Sequence, residues 1–391
     1  MTLQSHGIGT APSISFLSLG LVVLDEIRLP NRPPLTNILG GSGAYATLGA
    51  RLFLPPPSSK SVGWTLHVGN DFPEPIQDAL EKWDVTLYIE RKDDRPSTRG
   101  LLEYRDTTFG PKTFKYTTTP LPVSLDSLKN SSLLKAKAFH FLESPQSITE
   151  RVLELLACRS KFGTIGSREQ KAEEAAPLII WEPAPLACKA ENLAACLEAF
   201  RHGRGNGSLG VGVVDVFSPN HIELAALLRE EATTDKHQIK ALAMRMLAVA
   251  RGPGINDSVG SGGRRPKPLT ILVRAGEEGC LICSHGMEST WIPPFYKPGP
   301  DAEQNAKVVD PTGAGNAFLG GYAIGLLDTG CPVEAACYGA VAASFALEQV
   351  GMPGLERGMS GKGERWNEES VLGRLEEYRR SVSEYLRIEN R

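Results

Sequence analysis

The chain has 391 residues, 41% of them hydrophobic and 22% charged, with a formal net charge of -3 and a pI near 6.2. That length suits one large α/β domain or two domains, with enough chain to bury a sizeable core. The near-neutral balance gives no electrostatic reason to expect nucleic acid or an anionic membrane as partner. No run of about 18 apolar residues marks a membrane span. The opening MTLQSHGIGTAPS lacks the charged start and apolar core of a secretory signal.

In chain order, Ser15 to Leu24 has the apolar pattern of a buried strand, and Gly40 to Phe53 follows as a glycine-rich helix start. Thr65 to Gly69 and Val85 to Ile89 form short strands. Arg99 to Tyr104 and Thr113 to Thr118 alternate as a small antiparallel flap does. Ala138 to Leu142, Leu178 to Trp181, Gly212 to Val216 and Leu269 to Val273 are short apolar strands. Helical spacing covers Ser147 to Cys158, Glu191 to Phe200, Ile222 to Leu228 and His237 to Ala250. Strands alternating with helices predict a parallel sheet covered on both faces. Polar, Gly- and Pro-rich stretches at Ser160 to Ala176, Arg251 to Pro268 and Tyr296 to Gln304 predict surface insertions, the second of them mobile. The basic residues Arg264, Arg265 and Lys267 fall in such a loop. A charged tail follows Gly354, with amphipathic spacing from Ser370 to Leu386. The seven cysteines are scattered, as in a reduced, cytoplasmic protein. Cys280 and Cys283 form a C-x-x-C without a second ligand pair, so it does not mark a zinc site.

The most informative stretch is Asp310 to Gly321, DPTGAGNAFLGG. The strand-like Lys307, Val308 and Val309 enter it, and an apolar helical run from Ala317 to Leu327 leaves it. Gly313, Ala314 and Gly315 leave backbone N–H groups pointing at the positive end of a helix, which is a phosphate site. Asn316 follows, an amide that cannot accept a proton at neutral pH.

DPTGAGN resembles the second signature of the pfkB (ribokinase-like) carbohydrate kinases, roughly D-T-x-G-A-G-D, and in particular the fungal maintenance-of-killer proteins. The resemblance covers about Ser15 to Gly354. It implies a three-layer α/β/α sandwich with a small β lid, a kinase domain over 13–355, lid segments within about 26–38 and 86–120, and a helical tail over 356–391. It implies Mg-ATP as cofactor, with phosphates held by Thr312, Gly313, Ala314 and Gly315. It puts Asn316 where the family's catalytic Asp takes the proton from the acceptor hydroxyl. Asp25 in GLVVLD matches the family's sugar-holding Asp. Gly40 and Gly41 match its G-G-x-x-x-N signature, with Tyr45 in place of the Asn. Asn220 and Glu223 match N-x-x-E, which holds Mg²⁺ through water; the same pair is equally a helix capping box. Gly276 and Gly279 match T-x-G-x-x-G, with Arg274 in place of the Thr, either facing phosphate or ending the sheet. Glu143 and Glu182 stand at strand ends and receive no role.

The implied acceptor is a small molecule of the sugar or nucleoside class, and the lid is where two copies could pair. Three readings stay open: an active kinase using another base, a nucleotide-binding protein with impaired phosphotransfer, and a non-catalytic interaction protein. Asn316→Asp is expected to restore an acceptor for the hydroxyl proton, unless the acceptor pocket has also drifted, as Tyr45 suggests.

Overall fold

The computed structural model describes residues 13–106, 112–129, 131–162, 176–201, 212–251, 268–299, 305–357 and 363–389. The chain begins β1 (Phe16–Ser18), β2 (Val23–Arg28), β3 (Leu35–Gly40), α1 (Ser42–Leu52), β4 (Val62–Gly69) and α2 (Glu74–Glu81). Next come β5 (Thr86–Lys92), β6 (Arg99–Tyr104), β7 (Lys112–Tyr116), β8 (Ala138–Glu143), α3 (Ile148–Phe162), β9 (Leu178–Pro183) and α4 (Leu193–Arg201). Then follow β10 (Val216–Phe217), α5 (His221–Leu227), α6 (Lys236–Arg251), β11 (Thr270–Arg274), β12 (Cys280–Ser284) and β13 (Thr290–Ile292). The last elements are α7 (Ala314–Thr329), α8 (Pro332–Leu347), β14 (Leu355–Glu356), β15 (Arg365–Trp366) and α9 (Val371–Glu389).

A nine-stranded sheet in the order β13-β12-β11-β10-β9-β8-β1-β4-β5 forms the middle layer. Its strands run parallel from β11 through β5, and β12 and β13 close one edge antiparallel. Parallel strands must be buried on both sides. One face packs under α1, α7, α8 and α9, the other under α3 to α6, giving two apolar cores. Cys280 falls in the first core and Cys283 in the second, because residues three apart on a strand face opposite ways. Helices α1 and α7 touch backbone to backbone: a Cβ on Gly49 or Gly320 would overlap the opposite helix. The fold is the expected three-layer α/β/α sandwich.

A second sheet, β3-β2-β6-β7, forms the lid. Its core is Ile27, Leu29, Leu102 and Tyr104. Strand 86–92 is not part of it; β5 pairs with β4 on the edge of the main sheet. The strand expected over Ser15 to Leu24 is also divided. β1 ends at Ser18, whose Oγ accepts the Gly20 N–H at 3.2 Å. The chain then crosses to the lid, passing so close to α1 that a Cβ on Gly20 would overlap Ser42. Asp25 therefore lies inside lid strand β2, opposite Gly100 and Ile38, and not at the end of a main-sheet strand.

Lys307 to Val309 is not a strand; the Val309 N–H bonds Leu347 O at 2.7 Å, laying the segment over the end of α8. Of Gly212 to Val216 only Val216 is in a strand, β10. The expected insertion at 251–268 falls on 252–267, and those at 160–176 and 296–304 fall partly on 163–175 and 300–304, all outside the described residues. In the tail, α9 buries Val371, Leu375, Tyr378 and Val382, a helical stripe against α8.

Candidate functional site

Asp310 folds the loop before α7. Its Oδ1 accepts the Thr312 N–H at 2.9 Å, the Thr312 hydroxyl at 2.6 Å and the Tyr104 hydroxyl at 3.2 Å. With those bonds and 2% exposure, Asp310 shapes the loop through Oδ1. Gly313 caps α7 at φ 78°, a left-handed conformation that favours glycine, and no side chain caps the helix. The first-turn N–H groups thus lack intrahelical acceptors, and the helix presents its positive end.

In the first turn of α7, the Asn316 amide Nδ2 donates to Glu182 Oε2. Glu182, at the end of β9, also meets Arg274 Nη1 at 2.9 Å and His140 Nε2 at 3.3 Å. His140 in turn contacts Ser18 Oγ through Nδ1 at 2.9 Å. Burial pushes the Glu182 carboxyl up, but Arg274 and His140 outweigh it and hold the group below the usual carboxylate range. Arg274 also donates to Ser218 O at 3.0 Å and lies 3.7 Å from Glu223 Oε2. Its guanidinium rests on Gly315, where a Cβ would overlap Nη1. Arg274 is therefore a largely enclosed hub and not a surface residue at the sheet end.

Asn220 and Glu223 form the capping box of α5. Asn220 Oδ1 accepts the Glu223 N–H, while Glu223 accepts the Asn220 N–H and its side-chain amide, each at 2.8 Å. Burial is the main reason the Glu223 carboxyl is pushed up to about 7, with Arg274 opposing and Glu182 reinforcing.

A cavity of about 570 Å³ opens beside this hub. Arg274, Gly276, Gly279, Asn220, Ala314 and Gly315 line it. Pro294, Phe295, Tyr296, Ala343 and Leu347 supply apolar walls. That size and mixture suit a mononucleotide. Gly279 sits at φ 91°, and a Cβ there would overlap Ile292 O. Thr312 and Gly313 do not line the cavity; they face the lid side.

On that side, Tyr45 from the first turn of α1 is 2% exposed and lies flat on Gly313, whose Cβ would overlap the ring. Gly40 and Gly41 allow the lid crossing: a Cβ on Gly40 would overlap Asp25 Oδ2, and Gly41 turns at φ 93° beneath Leu21 O. Asp25 is buried with its Oδ1 unpartnered. Burial pushes its carboxyl up to about 7, Lys112 opposing and Asp310 reinforcing. Lys112 reaches from β7 to the loop, donating to Thr312 Oγ1 and, at 2.9 Å, to the Tyr104 hydroxyl. Burial lowers its pKa against the pull of Asp310 and Asp25.

Glu182, Tyr104, Lys112, Phe114 and Tyr116 received no role in the sequence analysis. Glu182 stands at the carboxyl end of a central parallel strand, where ligands of such sheets sit. The period-two spacing of Lys112, Phe114 and Tyr116 puts them on one face of β7. Phe114 packs over Gly100, which also touches Asp25. Phe114 and Tyr116 remain about half exposed, at 46% and 44%.

Residues 265–354 match the model of the pfkB family carbohydrate kinases. The chain is 30% identical over 373 residues to an uncharacterized protein of Schizosaccharomyces pombe, covering 93% of this chain and 92% of that one. The chain belongs to the pfkB family. It is also similar to Protein MAK32 of Saccharomyces cerevisiae, 25% identical over 367 residues, 92% of this chain and 90% of the other, in keeping with the maintenance-of-killer type. Ribokinase from Giardia lamblia shares the fold at a TM-score of 0.60 and 16% identity, over 96% of this chain and all of that one (100%). Among the described residues, no helix is long and apolar enough to cross a membrane.

The pfkB family implies Mg²⁺ near N-x-x-E, and here the donor set does not fit it. Both Glu223 oxygens accept from Asn220, and both Glu182 oxygens face N–H donors. Arg274 already places a cation between the two carboxylates.

Proposed function

We propose that this pfkB member binds ATP in the cavity over the start of α7 and is impaired in phosphotransfer to a sugar or nucleoside hydroxyl. The nucleotide half rests on the cavity bounded by Gly276, Gly279, Ala314 and Gly315 beside an uncapped helix N-terminus. The impairment rests on one observation: the side chain at the base position is an amide that spends its N–H on Glu182. Loss of a positioned base costs about 10²–10⁴ in rate. Positioning and the helix N-terminus remain, because phosphoryl transfer depends mostly on those. On the acceptor side, Asp25 would hold hydroxyls beneath Phe114 and Tyr116, and Tyr45 narrows the space where the family's Asn would reach. Pairing of two copies through the lid belongs to the same reading, and sedimentation velocity tests it.

Calorimetry with ATP should give saturable binding. A phosphotransfer panel of sugars and nucleosides should give turnover at least about 10²-fold below an enzyme with its base in place. Absence of ATP binding would favour a pure interaction protein. Robust turnover would overturn the impairment. One observation favours that second outcome: Asp25 is a buried carboxylate with an unpartnered oxygen. Loss of turnover in Asp25→Asn, with ATP binding kept, would then identify Asp25 as essential on the acceptor side.

A further inference from the structure

Glu182 and Glu223 come from different elements, β9 and α5, yet both turn toward Arg274 beside the first turn of α7. The guanidinium is 2.9 Å from Glu182 Oε1 and 3.7 Å from Glu223 Oε2. It lies on Gly315 and lines the nucleotide cavity. Its side chain is 13% exposed, and Nε has no hydrogen-bond partner, so one buried donor remains unspent. A guanidinium is permanently charged and offers a fork that matches phosphate oxygens. Two carboxylates at a phosphate site would ordinarily draw a hard divalent cation, which bridges them to the phosphates through water. Here that charge is covalently supplied. A Mg²⁺ ion would have to displace or sit against Arg274, at a Coulomb cost, and would find every Glu182 and Glu223 oxygen already facing a donor.

From this we infer that Arg274 takes the place of the divalent cation, so that this chain binds nucleotide phosphates without Mg²⁺. The inference rests on the nucleotide reading above, and concerns only the metal requirement.

The test is calorimetric titration of the full-length chain with ATP, once in excess MgCl₂ and once in EDTA. Dissociation constants within about threefold of each other, a gap near 0.6 kcal/mol, would support the inference. Binding in MgCl₂ but not in EDTA would overturn it and leave the nucleotide reading standing. Binding in neither would overturn both. The variant Arg274→Thr alone would strand the Glu182 carboxylate and could unfold, so it is paired with Glu182→Gln. This double variant should bind ATP in EDTA about tenfold or more weakly than wild type, since a hydrogen bond to a charged group is lost. Unchanged affinity of the double variant in EDTA would show that Arg274 does not carry the phosphate, and the inference would fall.

Discussion

Restoring the family's carboxylate at position 316 would be the natural repair, and the structure argues that it falls short alone. In Asn316→Asp the new carboxylate would sit against Glu182, whose Oε2 now accepts the Asn316 amide. Two like charges about 4 Å apart repel by about 4 kcal/mol at an effective dielectric of 20. That equals about three pKa units, which would lift the introduced carboxyl group to about 7, so it would be about half protonated at pH 7 and mostly protonated, hence a poor base, below about pH 6. The sign follows from linkage. A carboxylate raised in the folded state stabilises below its unfolded value near 4, and that contribution is lost as pH rises through the raised value. The protonated carboxyl still donates to Glu182, so the variant should match wild type near pH 4 and lose about 4 kcal/mol by pH 8. Below about pH 6, phosphotransfer should stay within about tenfold of the wild-type level. Asn316→Asp combined with Glu182→Gln exchanges carboxylate and amide, restores the hydrogen bond and leaves Arg274 a partner. That pair should remain stable at pH 8 and gain about 10²-fold in phosphotransfer. Thermal melts across pH and a coupled assay on a sugar and nucleoside panel measure both. If below pH 6 the single variant gains as much activity as the pair, or if it melts identically at pH 4 and 8, the Glu182 argument is wrong.

Gly313→Val should lower stability and weaken ATP binding, because a side chain that meets the Tyr45 ring at φ 78° must displace the start of α7; an ATP titration that matches wild type would remove the loop from the site. Asp25 is raised to about 7 by burial, so wild-type stability should fall between about pH 4 and 7; Asp25→Asn should be more stable than wild type by up to about 4 kcal/mol at pH 8 and equal to it near pH 4 in urea melts. Glu364→Gln should cost about 3–5 kcal/mol, since Arg51 is fully buried against both Glu364 oxygens at 2.6 and 2.8 Å. A urea midpoint unchanged in that variant would show that the pair is not a fold determinant.

Several features are legible in the chain because they depend on neighbours in sequence. The alternation of short apolar strands with helices gives the parallel sandwich, and the DPTGAG loop ahead of an apolar run gives the anion end of α7. Amphipathic spacing from Ser370 to Leu386 gives α9. The capping box at Asn220 and Glu223 needs only a spacing of three. Other features depend on where distant segments meet. Ser15 to Leu24 has the pattern of one strand, since apolar residues serve a main-sheet strand and a lid strand equally; Gly20, pressed against α1, divides them. Lys307 to Val309 has strand composition, but finds no sheet neighbour and bonds the end of α8. Glu182 is indistinguishable in sequence from Glu143, another carboxylate at a strand end. Only the folded chain brings it within hydrogen-bond reach of Asn316 and Arg274, 134 residues away in the first case. The sequence alone determined that a glycine loop opens α7 and that an amide, Asn316, stands where the family signature has an Asp. Tertiary structure decided what faces that amide and what charge lies between the two carboxylates. Local sequence encodes backbone conformation, but the electrostatics of a buried site is set by groups that meet only when the sheet closes.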